Sequence, residues 1–281
     1  MPDSRHLDTC KGPIPLDRTC IVGVLNVTPD SFFDGGRYEA VDRAVARGFE
    51  LQEAGADVLD IGGESTRPGS RPVEAPEELD RVLPVIERLA GELDIPISID
   101  TYKCDVARQC VEAGAAMVND VTALRGDHDM VGFVSKAGVP IVLMHALWPP
   151  ETMQKSPEYV DVTEDVLSFL DSRARHAMAF GVKRDRIVLD PGMGFGKTLE
   201  HNLELLRNLP ALTALGFPVL VGPSRKRFLG DITGRPAEER LWGTAGAVAL
   251  CAAAGAHFVR VHDVNAMKDV TRVVDAVVWQ V

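Results

Sequence analysis

What this sequence lacks narrows its function first. It has no block of lysine and arginine, and its formal net charge is −11. A surface built for nucleic acid or anionic lipid is therefore excluded, although a few local cations can still serve an anionic substrate. Its most apolar stretch, Ala245 to Ala256, falls well short of the ~20 residues a membrane-spanning helix needs. Met1 to Leu16 hold no apolar run of the signal-peptide kind, so the expected location is the cytoplasm. The five cysteines (Cys10, Cys20, Cys104, Cys110, Cys251) are scattered and odd in number, which reads as buried, reduced thiols. The seven histidines contain no zinc-ligand pair and no H-E-x-x-H, and no serine sits in a G-x-S-x-G elbow. The run Gly192-Met-Gly-Phe-Gly-Lys-Thr198 imitates a phosphate-binding loop, but Pro191 stands where that motif requires its first glycine. It also lacks the third glycine of a dinucleotide fingerprint.

What is present is a repeating unit. The 281 residues are 46% hydrophobic and 25% charged, ordinary values for a globular chain with a sizeable core. Short β-branched runs alternate with longer amphipathic stretches. The strands are expected at residues 21–26, 58–61, 97–100, 117–120, 141–145, 187–190, 219–221 and 258–262. Each is mostly apolar and ends in turn or polar residues, as strands buried on both faces do in a parallel sheet. Helical periodicity fits residues 40–54, 76–93, 160–179, 238–254 and 266–278, and Gly55, Gly114, Gly138, Gly181, Gly216 and Gly255 precede the following strands. Glycine just past a helix marks a left-handed cap. The pattern predicts an α/β fold, a single-domain (β/α)₈ TIM barrel over residues 20–281 with residues 1–19 as a lead-in. A doubly wound sheet would need a glycine-rich turn after the first strand, where Val27-Thr28-Pro29 stands instead.

In such a barrel chemistry gathers at the carboxyl ends of the strands. Those ends carry Asn26, Asp60, Asp100, Asn119 with Asp120, His145, Asp190, Lys226, and Arg260 with His262. Turn chemistry alone would favour glycine, serine and asparagine over so many ionisable groups; Asp60 and Asp120 read equally well as loop caps. Asp100, Asp190 and Asn119 form an acceptor-rich set suited to a flat heterocycle with a guanidine-like N–C–N edge, such as a pterin. Lys226 can donate to such a ring and Phe195 can pack on its face. Arg260 and Lys226, with Ser65, Thr66 and Arg67, suit a phosphate-bearing group. Asn26 offers a neutral oxygen to a Mg²⁺ ion held mainly by substrate phosphates, and reads equally as a turn residue.

These residues fall in blocks similar to those of the dihydropteroate synthases. Gly23 to Gly36 (GVLNVTPDSFFDGG) resembles that family's first signature and Asp60 to Gly69 (DIGGESTRPG) its second. Ser98-Ile-Asp-Thr-Tyr-Lys103, Val118-Asn-Asp-Val121, Asp190-Pro-Gly-Met-Gly-Phe-Gly-Lys197, Ser224-Arg-Lys226 and Arg260-Val-His262 follow in the family's order. The resemblance extends from Cys20 to Val278. It implies a TIM barrel, usually a homodimer, that joins hydroxymethyl-dihydropterin diphosphate to para-aminobenzoate and releases pyrophosphate in folate synthesis. It also implies roles: Asn26 as the Mg²⁺ ligand; Asp100, Asn119, Asp190 and Lys226 as the pterin pocket; Thr66, Arg260 and His262 as the diphosphate site. Pro68, Phe195 and Lys226 border the arylamine, and Asp34 and Arg67 lie on two loops that help close the site. Asp100, Lys226 and Arg260 are the expected catalytic residues. Arg225 has no assigned role, charge support and a structural salt bridge being equal readings.

The chain departs from the family after the fifth strand, where Ala146, Leu147 and Trp148 precede Pro149-Pro150 and make a bulkier, stiffer loop. Two other readings share the carboxylate pocket. A pterin-binding methyltransferase domain would have no use for the intact first two loops and Ser224-Arg-Lys226, and a non-catalytic pterin-binding paralogue would have lost several of these residues.

Overall fold

The computed structural model describes residues 6–28, 37–65, 70, 72–147 and 152–279. The chain opens with a hairpin, β1 (His6–Thr9) and β2 (Gly12–Pro15), paired antiparallel. Strands and helices then alternate: β3 (Cys20–Asn26), α1 (Arg37–Glu53), β4 (Val58–Gly62), α2 (Ala75–Ala90), β5 (Ile97–Asp100), α3 (Cys104–Glu112), β6 (Met117–Asp120) and α4 (Met130–Ala137). The second half continues with β7 (Ile141–Met144), α5 (Val162–Ala179), β8 (Ile187–Asp190), α6 (Leu199–Arg207), α7 (Leu209–Thr213), β9 (Leu220–Val221), α8 (Arg227–Thr233), α9 (Leu241–Ala253), β10 (Phe258–Val261) and α10 (Val264–Val278).

β3 to β10 form an eight-stranded parallel sheet in the order β8-β7-β6-β5-β4-β3-β10-β9. A bridge between Leu189 and Val219, with Leu189 N–H donating to Pro218 O at 2.9 Å, joins the two ends into a barrel. The fold is the single-domain TIM barrel that the alternating pattern predicts. The expected strands lie where the apolar runs placed them, each end within a residue. All six helix-terminating glycines take positive φ.

Side chains alternate across each strand, so one set faces the barrel interior and the other the helices. Leu59, Ile61, Ile97, Ile99, Leu143 and Leu189 belong to the outer core against the helices. The inward set begins with an apolar floor of Cys20, Val22, Val58, Met117, Val142, Val188, Leu220 and Phe258. Leu7 and Ile14 of the hairpin join that floor from the amino-terminal side. The lead-in is thus more than a tail: it stoppers the end of the barrel opposite the strand carboxyl ends. One expectation fails here, since Cys10 is exposed; Cys20, Cys104, Cys110 and Cys251 are buried, and all five are unbridged.

Candidate active site

Two residues above the apolar floor the inward positions turn polar. Val58 leads to Asp60, Met117 to Asn119, Val188 to Asp190 and Phe258 to Arg260, while on β5 the already polar Ser98 leads to Asp100. Strand pairing sets these beside one another: Asp60 opposite Ser98, and Asp100 opposite both Gly62 and Asn119. The polar layer is therefore a consequence of pleat parity and register rather than of loop folding.

Arg260 crosses this layer. Its Nε donates to Asp60 Oδ2 at 2.6 Å and a terminal nitrogen donates to Asp100 Oδ2 at 2.8 Å. Asn119 Nδ2 donates to the same Asp60 oxygen at 3.3 Å. Asp60 is thus a buried member of the site, whereas Asp120 is a cap. The Asp120 carboxylate accepts from Thr122 N and Oγ1 and from Leu124 N, at 2.7–2.8 Å, and holds the turn after β6. Three oxygens of the polar layer, Asp60 Oδ1, Asp100 Oδ1 and Asn119 Oδ1, are buried without a hydrogen-bond donor. Such atoms are costly to leave unpaired and mark a place designed for donors.

Burial pushes the Asp100 carboxyl up to about 7, against the opposing pull of Arg260 and with a push from Asp60. Burial also raises Asp190 to about 6, partly offset by the Gly192 N–H and by Lys226. Burial works to lower Arg260, but Asp60 and Asp100 prevail and hold it above its usual range. Both carboxyls therefore titrate close to neutral pH, as site residues often do.

The wall above Asp190 is the loop Pro191–Thr198. Gly192 N–H donates to Asp190 Oδ1 at 2.7 Å. Gly192 has φ +67°, and a Cβ there would lie 1.9 Å from His145 O, so no other residue fits. Phe195 packs against a small apolar group of Val121, Met144 and Ala146. Lys226 Nζ stands 4.0 Å from the centre of the Phe195 ring. Lys197, buried, sends its Nζ to His145 Nδ1 at 2.9 Å, Gly192 O at 3.0 Å, Phe195 O at 3.2 Å and His145 O at 3.4 Å. Burial lowers Lys197 to about 7 and, with Lys197 beside it, lowers His145 to about 2.

The loops after β9 and β10 are stitched together. Ser224 Oγ lies 3.0 Å from His262 Nδ1 and accepts from His262 N at 3.2 Å. Arg225 holds Asp263 through two bonds of 3.0 and 2.6 Å. Its backbone takes φ +57°, and Arg240 donates to the carbonyls of Arg225 and Lys226 at 3.0 and 3.3 Å. Arg225 thus forms a salt bridge that ties two site loops. At the stem of the second loop, Glu64 and Glu78 share Lys103, and Tyr102 Oη donates to Glu64 at 3.2 Å.

Asp100, Asn119, Asp190, Phe195, Lys226, Arg260 and His262 thus lie on β5, β6, the β8 strand and loop, and β10 with its neighbouring loop, all at one end of the barrel. Asn26 ends β3 at the same face, opposite Gly62. Asp34, Thr66, Arg67, Pro68 and Trp148 lie outside the described residues. The geometry adds detail to two readings. Asp60, open between cap and site, belongs to the site. Arg260, expected toward a diphosphate, has two of its nitrogens committed to Asp60 and Asp100.

The profile of the pterin binding enzyme family matches residues 22–262. The dihydropteroate synthase of Synechocystis is 46% identical over 264 residues, covering 94% of this chain and 91% of that one. That of Bacillus subtilis is 44% identical, covering 92% and 89%. Among solved structures, the Xanthomonas albilineans dihydropteroate synthase with 4-aminobenzoic acid superposes with a TM-score of 0.91 at 48% identity, covering 98% of each chain. The same enzyme in complex with 7,8-dihydropteroate gives 0.88 at 46% identity, covering 97% and 98%. With a barrel whose polar layer is built from the family's own motif residues, this chain belongs to the pterin binding enzymes and, within them, to the dihydropteroate synthases.

Proposed function

We propose that the polar layer of the barrel takes the pterin of hydroxymethyl-dihydropterin diphosphate, which this transferase joins to para-aminobenzoate with release of pyrophosphate. The observation that carries the assignment of residues is the trio of undonated buried oxygens on Asp60, Asp100 and Asn119. A pterin's N–C–N edge and ring N–H groups supply the missing donors, and the Asp190 carboxylate adds a fourth acceptor. Lys226 donates to the ring from above, next to Phe195.

The chemistry follows from charge. The pterin methylene carbon loses its C–O bond to the diphosphate, and positive charge spreads into the ring. The Asp100 carboxylate stabilises that charge, while Arg260 holds Asp100 and Asp60 in place. The neutral arylamine nitrogen then forms the new C–N bond and gives up a proton. Pyrophosphate is a good leaving group, so no side-chain nucleophile is required. His262, steered by Ser224, and Thr66 face the leaving diphosphate in this reading, while Pro68, Phe195 and Lys226 border the arylamine. Asp34 and Arg67 contribute from the first two loops.

A Mg²⁺ ion fits the donor set at the end of β3. Asn26 is part-exposed there and offers one neutral oxygen, enough for an ion carried mainly by substrate phosphates. Asn26 would hold it, and the ion would neutralise developing charge on the diphosphate. The only cluster of His and acidic ligands among the described residues, Asp127-His128-Asp129, lies in the exposed segment before α4.

The finer biology is proposed on similar grounds. Trp242 and Leu250 on α9 and Val273 and Val277 on α10 are exposed by 61–82%, and the two helices pack together. Such an apolar surface supports a homodimer. A cytoplasmic location is part of the same proposal; among the described residues no helix is long and apolar enough to cross a membrane. A Yersinia pestis relative was solved in complex with a sulfonamide drug, at 40% identity, which supports sulfonamides as ligands of the arylamine site here. The test is pyrophosphate release from the pterin diphosphate, with and without para-aminobenzoate. No release in the presence of para-aminobenzoate, or release with no dihydropteroate formed, overturns the reading.

A further inference from the structure

The loop Pro191–Thr198 has three glycines at positive φ, Gly192, Gly194 and Gly196, and such a sequence does not fix its own shape. What fixes it comes from a neighbouring loop and from within. Phe195 N–H donates to Gly192 O at 3.1 Å, closing a turn. Gln154 Nε2 donates to Gly194 O at 2.5 Å and Tyr159 Oη to Gly196 O at 2.8 Å. At the centre lies the Lys197 ammonium, whose acceptors at 2.9–3.4 Å are two loop carbonyls and the ring and carbonyl of His145.

Among the described residues Lys197 has no carboxylate within ion-pair distance. Burying an ammonium this way is costly before its hydrogen bonds are counted, so a residue serving packing alone would be apolar. His145 is neutral and accepts through Nδ1; its ring is fixed edge-on against Phe169, with centroids 4.9 Å apart. The lysine therefore fastens the glycine loop to a rigid point on the loop after β7. The moving part, were it released, is the Phe195 segment, because Asp190 is anchored in β8.

We propose that Lys197 is a positioning residue of this enzyme: by clamping Gly192 O and Phe195 O to His145, it sets the Phe195 ring, and Lys226 across it, as the wall on which the arylamine docks. The inference rests on the dihydropteroate synthase reading, and the wild-type enzyme run in parallel tests that reading separately. Lys197→Met keeps length and removes the donors. At saturating pterin diphosphate, the KM for para-aminobenzoate should rise at least tenfold. Calorimetric affinity for 6-hydroxymethylpterin should fall by much less than the arylamine KM rises, because β4, β5, β6 and β8 hold its acceptors and only the Lys226 contact is disturbed. A second pair avoids any folding defect at the lysine. His145→Gln keeps an acceptor for the ammonium and should leave the arylamine KM within twofold. His145→Leu removes it and should raise that KM severalfold. An unchanged KM in Lys197→Met, equal loss of pterin and arylamine affinity, or identical KM values for the two His145 variants would overturn the proposal.

Discussion

The replacement Asp190→Asn tests the orientation of the pterin most directly, because the structure dictates how the new amide must sit. Gly192 N–H donates to Asp190 Oδ1 at 2.7 Å in a buried position. An asparagine keeps its oxygen toward that N–H, since the opposite flip would set donor against donor. Its NH₂ group then occupies the place of the oxygen left for the ligand, where it meets the donors of the pterin edge. The ligand loses a bond to a charged acceptor, worth ~1.5–3 kcal/mol, and strands a buried donor at a cost of ~1–3 kcal/mol. A net loss of about 3 kcal/mol corresponds to roughly a hundredfold in affinity. Isothermal titration with 6-hydroxymethylpterin measures it. The sign of the pH dependence gives a second check. Burial pushes Asp190 up to about 6 and Asp100 up to about 7, so wild-type affinity should fall as pH drops through that interval and both carboxylates gain protons. The variant retains only the portion due to Asp100 and has a shallower profile. An affinity within threefold of wild type at pH 8, or an unaltered pH profile, would refute the proposed contact.

Excess chelator should abolish product formation and added Mg²⁺ restore it, as measured by pyrophosphate release; full turnover in chelator would remove Asn26 from its metal role. Trp242→Arg, at a side chain 82% exposed on α9, should halve the mass that the wild-type chain shows in sedimentation at micromolar concentration, where the proposed homodimer predicts twice the chain mass; a wild-type mass of one chain refutes the dimer, and an unchanged dimer mass in the variant removes this face from it. Lys197 is lowered to about 7 from an ordinary 10.5, so between those values the unfolded chain binds the extra proton and stability gains with rising pH. The stability of wild type relative to Lys197→Met, from urea unfolding at pH 7 and pH 9, should therefore increase at the higher pH; a constant difference would show that the ammonium titrates normally.

The barrel was legible because parallel strands buried on both faces appear as short apolar runs, and because glycine ends so many of the helices. The amino-terminal hairpin was not. Its strands are four residues each and carry Pro13 and Pro15, so they show neither strand length nor strand composition. β9 shrinks to two residues for a related reason, with Pro218 before it and Pro223 after it. In the site, motif residues at strand ends were readable, but parity was not. Nothing in Val58-Leu-Asp-Ile-Gly62 tells whether Asp60 faces the barrel or its rim until pairing with β3 and β5 sets the register. Lys197 was hidden by its company, because Gly-Phe-Gly-Lys-Thr invites a phosphate reading and the lysine's partner His145 lies far away in sequence. Such contacts between loops become visible only when the barrel has closed.

The charge arrangement explains how an acidic chain can serve an anionic substrate. Asp60, Asp100 and Asp190 stand with Arg260, Lys226 and Lys197 in one polar layer and the loops above it. Each of these carboxylates has a cation near it, although the chain as a whole carries −11. Arg260 is held by Asp60 and Asp100, and Lys197 by carbonyls and His145. Lys226 is placed differently, at the amino-terminal edge of α8 and over the Phe195 ring. It adjoins the pterin acceptors and the arylamine wall at once. In the function proposed above, Lys226 and a metal held by Asn26 would serve the diphosphate at the carboxyl ends of the strands, with Asp60, Asp100 and Asp190 beside the carbon that turns cationic. That vertical separation is what the reaction requires. In that reading negative charge leaves with the pyrophosphate toward the strand ends and positive charge develops beside Asp100, above the apolar floor of Val58, Met117, Val142 and Phe258.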